Sequence, residues 1–198
     1  MHIVAISGGL SSPSSSRTLA TELLTATQSQ LTAAGEEVTV ELVELRDHAH
    51  AIVDNMLTGF PSGAFADVVE SIRTADALIV VTPTFQAGIS GLVKSFFDVI
   101  EAGTLDGLPV LMAATGGTER HSLVIEYAMR PLFAYMKARP VGTGIYAATQ
   151  DFGGGEASGL RHRVERAVGE LVDALRGAAP RKPAEDDFVD FETLLARR

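Results

Sequence analysis

Five short apolar runs, separated by longer stretches of helical period, recur along this chain and narrowly limit what it can fold into. "HIVAIS" (2–7), "EVTVELVEL" (37–45), "DALIVVTPT" (76–84), "PVLMAAT" (109–115) and "VGTGIYAA" (141–148) are bounded by turn residues and read as strands. Around them, apolar residues recur at helical spacing over about 17–34, 63–75, 90–102, 120–138 and 156–177. Such alternation packs as a parallel sheet, because each helix carries the chain back over a face of the sheet to start the next strand. The runs beginning at His2, Asp76 and Pro109 are almost continuously apolar, as strands covered on both faces must be.

Five strands of this kind fit an α/β doubly wound sheet of flavodoxin-like order 2-1-3-4-5, with helices on both faces. Ligands of such sheets lie at the carboxyl ends of the strands, beside the point where strand order reverses. The loops 8–16, 83–90 and 115–120 are therefore expected to converge on one site. At 198 residues the chain suits a single domain, expected over 1–176. From Gly177 the composition changes abruptly, and "GAAPRKPAEDDFVDFETLLARR" (177–198) reads as a linker and a short amphipathic tail. There Phe188, Phe191, Leu194 and Leu195 follow an acidic run at helical spacing, a pattern suited to docking on a sister subunit or reaching a partner protein.

Several chemistries are excluded at this stage. With no cysteine, the chain has no disulfide, thiolate nucleophile or Cys-ligated metal. A formal charge of −9 argues against nucleic acid as a partner, so any anion must be bound locally. The five histidines show no metal-ligand spacing, and "RDHAH" with His48 and His50 reads as a solvated loop, so no metal is expected. No apolar run approaches membrane-spanning length, and "MHIVAISGG" lacks the basic flank of a signal peptide; a cytoplasmic protein without membrane contact is expected.

The three loops carry the functional signal. "SGGLSSPSSSRTLA" (7–20) follows the first strand, and Ser14, Ser15 or Ser16 is placed to cap the next helix. Backbone amides at a helix start, the positive end of its dipole and serine hydroxyls suit a phosphate, with Arg17 or Thr18 completing the clamp. The spacing is neither that of a dinucleotide loop nor that of a nucleoside-triphosphate loop, which favours a monophosphate. In "TPTFQAGISG" (82–91), exposed amides and Phe85 are suited to line a flat ring, although Phe85 equally fits beneath its loop as packing. "TGGTERH" (115–121) offers amides to a carbonyl edge of the same ring; His121 reads either as a donor to it or as a solvated helix cap. A phosphate cradle and two small-residue walls match what flavin mononucleotide needs.

These stretches, "ISGGLSSPSSSRTLA", "TPTFQAGISGLVKSFFD" and "ATGGTERHSLVIEYAMRPL", resemble the phosphate loop, the strand-three turn and the flavin-ring loop of the NADPH-dependent FMN reductase family. The resemblance spans most of residues 2–176 and is greatest to reductases that supply reduced flavin to two-component monooxygenases. It implies FMN and NADPH or NADH as cofactors, hydride transfer from nicotinamide C4 to flavin N5, a homodimer or homotetramer, and a flavin-dependent monooxygenase as a possible partner. No catalytic side chain is implied, because the cofactors carry the chemistry. Carried over residue by residue, the phosphate falls to Ser11, Ser14, Ser16, Arg17 and Thr18. The ring lies between Pro83, Thr84, Phe85 and Gln86 on one side and Thr115, Gly116 and Gly117 on the other. Many relatives carry an Arg inside the phosphate loop and a Tyr-Lys pair after the strand-three Pro, where this chain has Ser11, Ser12 and Ser15, and Phe85-Gln86. The alternatives are an FMN-retaining quinone or azo reductase and, in another class, a flavodoxin-like electron carrier. The chain lacks a flavodoxin's T-x-T-G-x-[ST] loop and has no Trp.

"HSLVIEYAMRPLFAYMKAR" (121–139) reads as a helix apolar on two sides. Ile125, Ala128, Met129, Leu132, Phe133 and Met136 form the stripe for the sheet. Val124, Tyr127, Pro131 and Tyr135 form a second, expected to meet another subunit, with a covering loop as the alternative. Pro131 has no N–H, a defect that a kink or a π-bulge relieves. The resemblance implies a one-residue π insertion at Tyr127.

Overall fold

The computed structural model describes residues 1–152 and 159–177. The expected tail beyond Gly177, with its four apolar residues, and positions 156–158 of the last expected helix lie outside the described residues. In chain order the elements are β1 (His2–Ser7), α1 (Ser15–Ala33), β2 (Thr39–Glu44), α2 (Ala49–Thr58), α3 (Ala64–Thr74) and β3 (Ala77–Phe85). There follow β4 (Gly88–Ile89), α4 (Gly91–Asp98), β5 (Pro109–Gly116), α5 (Arg130–Tyr135), β6 (Arg139–Pro140), β7 (Ile145–Ala148) and α6 (Leu160–Arg176).

The main path through the sheet is β2-β1-β3-β5-β6, all parallel, with β7 also parallel to β5. This is the flavodoxin-like order, with its fifth position shared by two short strands instead of the single run expected over 141–148. Gly144 lies in the break between them, where an added Cβ would stand 2.4 Å from Ile125 Cγ2. The two residues of β4 add an antiparallel hairpin to the end of β3.

Alternate side chains of the central strands face two layers. Ile3, Ala5, Ile79, Val81, Leu111 and Ala113 pack under α1 and α6, and Val4, Ile6, Leu78, Val80, Val110 and Met112 pack under the helices from α2 to α5. The second layer holds an aromatic chain in which Phe65, Phe96, Phe97 and Phe133 meet edge to face at 5.0–6.1 Å.

Four sequence readings are corrected. The stretch with His48 and His50 is not a loop: Leu45–His48 is a 3-10 turn leading into α2, where Ile52 and Asn55 are buried. The helix expected over 90–102 ends at Asp98. The helix expected over 120–138 is divided into a 3-10 turn (Glu119–His121), a π turn (Ile125–Met129) and the six-residue α5. Pro131 thereby falls in the first turn of α5, where a residue without an N–H is tolerated. Tyr127 sits in the π turn, as the resemblance implies, and the wider turn changes the phase of the helix so that Val124 joins the core instead of the second stripe.

Candidate functional site

The loops after β1, β3 and β5 meet at the carboxyl edge of the sheet. The Gly8 N–H donates to Val81 O at 2.8 Å, and a Cβ on Gly8 would lie 3.3 Å from Pro83 Cδ, so the first loop sits directly on the third strand. A Cβ on Gly116 would lie 3.6 Å from Thr84 Cβ, which brings the strand-three and strand-five loops together. The hydroxyls of Ser16 and Thr115 share a buried 2.8 Å hydrogen bond, tying the start of α1 to the end of β5.

The first loop is built around the helix start. Ser14 has extended backbone and its Oγ accepts from the Arg17 N–H at 3.2 Å, making it the N-cap among the three serines considered. Its carbonyl accepts from the N–H and the hydroxyl of Thr18, at 3.0 and 3.1 Å. The amides of Ser15 and Ser16 are among the donors that every helix start leaves without an intrahelical partner. Gly9 is required here because a Cβ would stand 1.9 Å from Ser14 Oγ. Ser11 and Ser12 are exposed, and the Ser11 Oγ donates to Pro13 O at 2.8 Å. Ser11, Ser12, Ser14, Arg17 and Thr18 line a cavity of about 690 Å³.

Two residues on this rim were missed by sequence reasoning. Arg46 extends an Nη1 donor to Ser11 O at 3.1 Å, and the Glu44 carboxylate lies 3.2 Å from Arg17 Nε and 3.4 Å from Arg46 Nε. Their sequence signal is only their place at the end of the second strand, whose last residue, Glu44, pairs with Ser7 at the end of β1.

The second wall is a hairpin. Phe85 and Gly88 pair across Gln86 and Ala87, whose φ values of 48° and 62° are the left-handed pair of a two-residue turn. Neither is a glycine, so the turn carries backbone strain, which recurs at ligand loops. The Ser90 N–H donating to Thr82 Oγ1 at 3.0 Å braces its base. Phe85 is 45% exposed, which sets aside the reading that it packs beneath the loop. Thr84 Oγ1 is buried without a hydrogen-bond partner among the described residues.

On the opposite wall, Tyr146 of β7 donates to Thr118 O at 2.9 Å, and a Cβ on Gly116 would stand 2.0 Å from its hydroxyl oxygen. Gly116 thus makes room for a brace that shapes the loop. Gly117 is exposed with open space where a side chain would be, leaving its backbone approachable by a flat ligand. His121 is exposed at the end of the 3-10 turn. Thr115 is buried, with its hydroxyl committed to Ser16.

The donor set fits a phosphate monoester joined to a planar heterocycle. Neutral hydroxyls and helix-start amides lie at one end; the orphaned Thr84 hydroxyl and the bare Gly117 backbone lie at the other. Among the described residues, no three His, Asp or Glu gather as a metal cluster, and no helix is long and apolar enough to cross a membrane.

The model of the NADPH-dependent FMN reductase family matches residues 1–153. An FMN reductase (NADPH) of Pseudomonas aeruginosa is 35% identical over 152 residues, 76% of this chain and 78% of that protein. The NADH-dependent FMN reductase SfnF of Pseudomonas putida is 32% identical over 173 residues, 87% of this chain and 88% of that protein. The crystal structure of an oxidoreductase from Corynebacterium diphtheriae superposes with a TM-score of 0.86 at 39% identity, covering 90% of this chain and 98% of that one. With fold, loops and sequence in agreement over most of its length, this chain belongs to the NADPH-dependent FMN reductase family.

Proposed function

We propose that this chain binds FMN across the three loops and reduces it with NADH or NADPH, releasing reduced flavin to a partner monooxygenase. The observation that carries this reading is the convergence of the loops, joined through Ser16 and Thr115 at 2.8 Å, in a chain of this family. Bound FMN would supply the hydride acceptor and the nicotinamide the hydride. The protein's task is to hold two rings face to face and keep one flavin face open.

In this reading the phosphate lies at the start of α1. The hydroxyl of Ser14 and the amide of Ser16 hold it there, joined by the hydroxyls of Ser11 and Thr18 once these turn from Pro13 O and Ser14 O, with the Arg17 guanidinium at the rim. The Ser16 hydroxyl, buried against Thr115, acts on the site by fixing the distance between the phosphate loop and the ring loop. Pro83, Thr84, Phe85 and Gln86 form one wall for the ring, and Thr115, Gly116 and Gly117 the other. The unpartnered Thr84 hydroxyl is the side chain best placed to gain a bond on binding.

Tyr127 and Tyr135 are 79% and 88% exposed on the face of the broken helix, and that face is assigned to a homodimer or homotetramer contact. The reaction draws on the cytoplasmic pool of reduced nicotinamide coenzymes, which is where we place the enzyme. The relatives' names divide between NADPH and NADH, so both coenzymes enter the test. Purified protein given free FMN should oxidise at least one of them at a rate that rises and saturates with FMN. No turnover with either coenzyme would overturn the reading. Turnover with a quinone that is indifferent to added FMN would replace it with a flavin-retaining quinone reductase.

A further inference from the structure

The phosphate loop is bordered by an ion cluster that joins its Arg17 to Glu44 and Arg46 at the end of β2. Glu44, the last residue of β2, keeps only 13% of its side chain exposed and lies between two guanidinium groups, 3.2 Å from Arg17 Nε and 3.4 Å from Arg46 Nε. Glu44 Oε2 and Arg46 Nε are both buried without hydrogen-bond geometry between them, so the contact is one of charge. Arg46 uses Nη1 to hold the loop through Ser11 O and faces a second carboxylate, Asp47, at 3.5 Å. The cavity wall that includes Ser11, Ser12, Ser14 and Thr18 contains Arg17 and Arg46 against Glu22 and Glu44, two cations and two anions. A site that binds a dianionic group therefore has no net positive side-chain charge on this wall.

Resting on the reading that the chain binds FMN, we propose that Glu44 sets the affinity for the flavin's phosphate. Its carboxylate engages Arg17, the cation nearest the start of α1, and so leaves the phosphate to neutral hydroxyls, backbone amides and the helix dipole. A charge-assisted bond from Arg17 would be roughly twice as strong as a neutral one. Withholding it keeps the flavin exchangeable, which suits an enzyme that gives away its product. Arg46 has a different part: its bond to Ser11 O positions the loop.

The test is a titration of wild type, Glu44→Gln, Glu44→Asp and the double variant Glu44→Gln/Arg17→Ala with FMN and with riboflavin, followed by quenching of flavin fluorescence. Riboflavin lacks the phosphate and reports separately on the ring site and on folding. Glu44→Gln should bind FMN about tenfold more tightly, a gain of about 1.4 kcal/mol, with riboflavin unchanged. Its FMN affinity should also fall more steeply with salt than that of wild type. Glu44→Asp, which keeps the charge, should stay near wild type, and removing Arg17 from the Glu44→Gln protein should abolish the gain. Weaker or unchanged FMN binding in Glu44→Gln, or an equal change for riboflavin, would overturn the proposal and leave the reductase reading standing. Wild type that binds neither flavin would overturn both.

Discussion

After β1 the chain crosses a serine-rich loop and runs as one 19-residue helix over one face of the sheet. After β5 it crosses a glycine pair and breaks into a 3-10 turn, a π turn and a six-residue helix over the other face. Both segments leave buried central strands and both border the candidate site. The first is stabilised from within its own chain, by the Ser14 cap, the Gly9 close approach and a buried row from Leu19 to Leu31. The second buries Ile125, Met129 and Phe133 but leaves Tyr127 and Tyr135 mostly exposed. Its last piece, α5, is held to the β6–β7 segment by Arg130, which donates to Val141 O at 3.2 Å and Gly142 O at 3.1 Å. A regular amphipathic helix satisfies one layer, whereas inserting a π turn rotates residues out of that layer and presents them elsewhere. One segment thus keeps its apolar side chains under one layer, whereas the other leaves two large aromatic side chains in solvent.

The severest way to break this comparison is at Gly9. Gly9→Ala forces the new methyl group into the Ser14 cap, and overpacking of this kind costs about 1–3 kcal/mol. Thermal unfolding should show that loss, and FMN affinity should fall with it; an unchanged Tm and unchanged FMN binding would mean the loop is not held as described. The Tyr127 and Tyr135 face, proposed above as a subunit contact, should respond differently. Tyr127→Ser combined with Tyr135→Ser should lower the oligomeric state seen by light scattering while the isolated subunit keeps its fold by circular dichroism. An unaltered assembly would remove this face from consideration.

A milder perturbation, Ser14→Ala, deletes only the cap and should cost about 1 kcal/mol in chemical denaturation. It should weaken FMN binding more than riboflavin binding, and equal weakening would argue that Ser14 supports the ring site instead. The smallest effect belongs to Glu126, on the π turn. The Arg130 guanidinium, bonded to its carboxylate at 2.5 and 2.8 Å, holds the Glu126 carboxyl below its ordinary value of 4.5. A lowered folded-state value means that the pair's stabilisation is fully present above the unfolded value and is lost as pH falls through the folded one. The Tm difference between wild type and Glu126→Gln should therefore be present at pH 7 and vanish on acidification below 4.5. It should be small and shrink with added salt, because the pair is half exposed.

The strands were legible because β1, β3 and β5 are continuous apolar runs, and a run buried on both faces needs no partner to be recognised. The start of α1 was legible for a local reason too, since a capping serine acts on an amide three residues away. By contrast α2 was misread, because Ile52 and Asn55 are its only fully buried residues and the exposed Val53, Met56 and Leu57 blur its stripe. In the split of the fifth strand lies Gly144, close against Ile125, a contact that helical period does not encode.

Local pattern determined the parallel α/β sheet, the three loops at its carboxyl edge and the Pro131 defect that needed relief, because each follows from residues within a turn or two of one another. Tertiary structure decided what lies across those loops: the Ser16–Thr115 bond, the Tyr146 brace at Gly116, and Glu44 and Arg46 beside Ser11 and Arg17. These contacts join positions 27 to 99 residues apart, as the Arg17–Glu44 pair and the Ser16–Thr115 bond illustrate. Only sheet register brings such residues together, and register is set by the burial of whole strands rather than by any residue in the site.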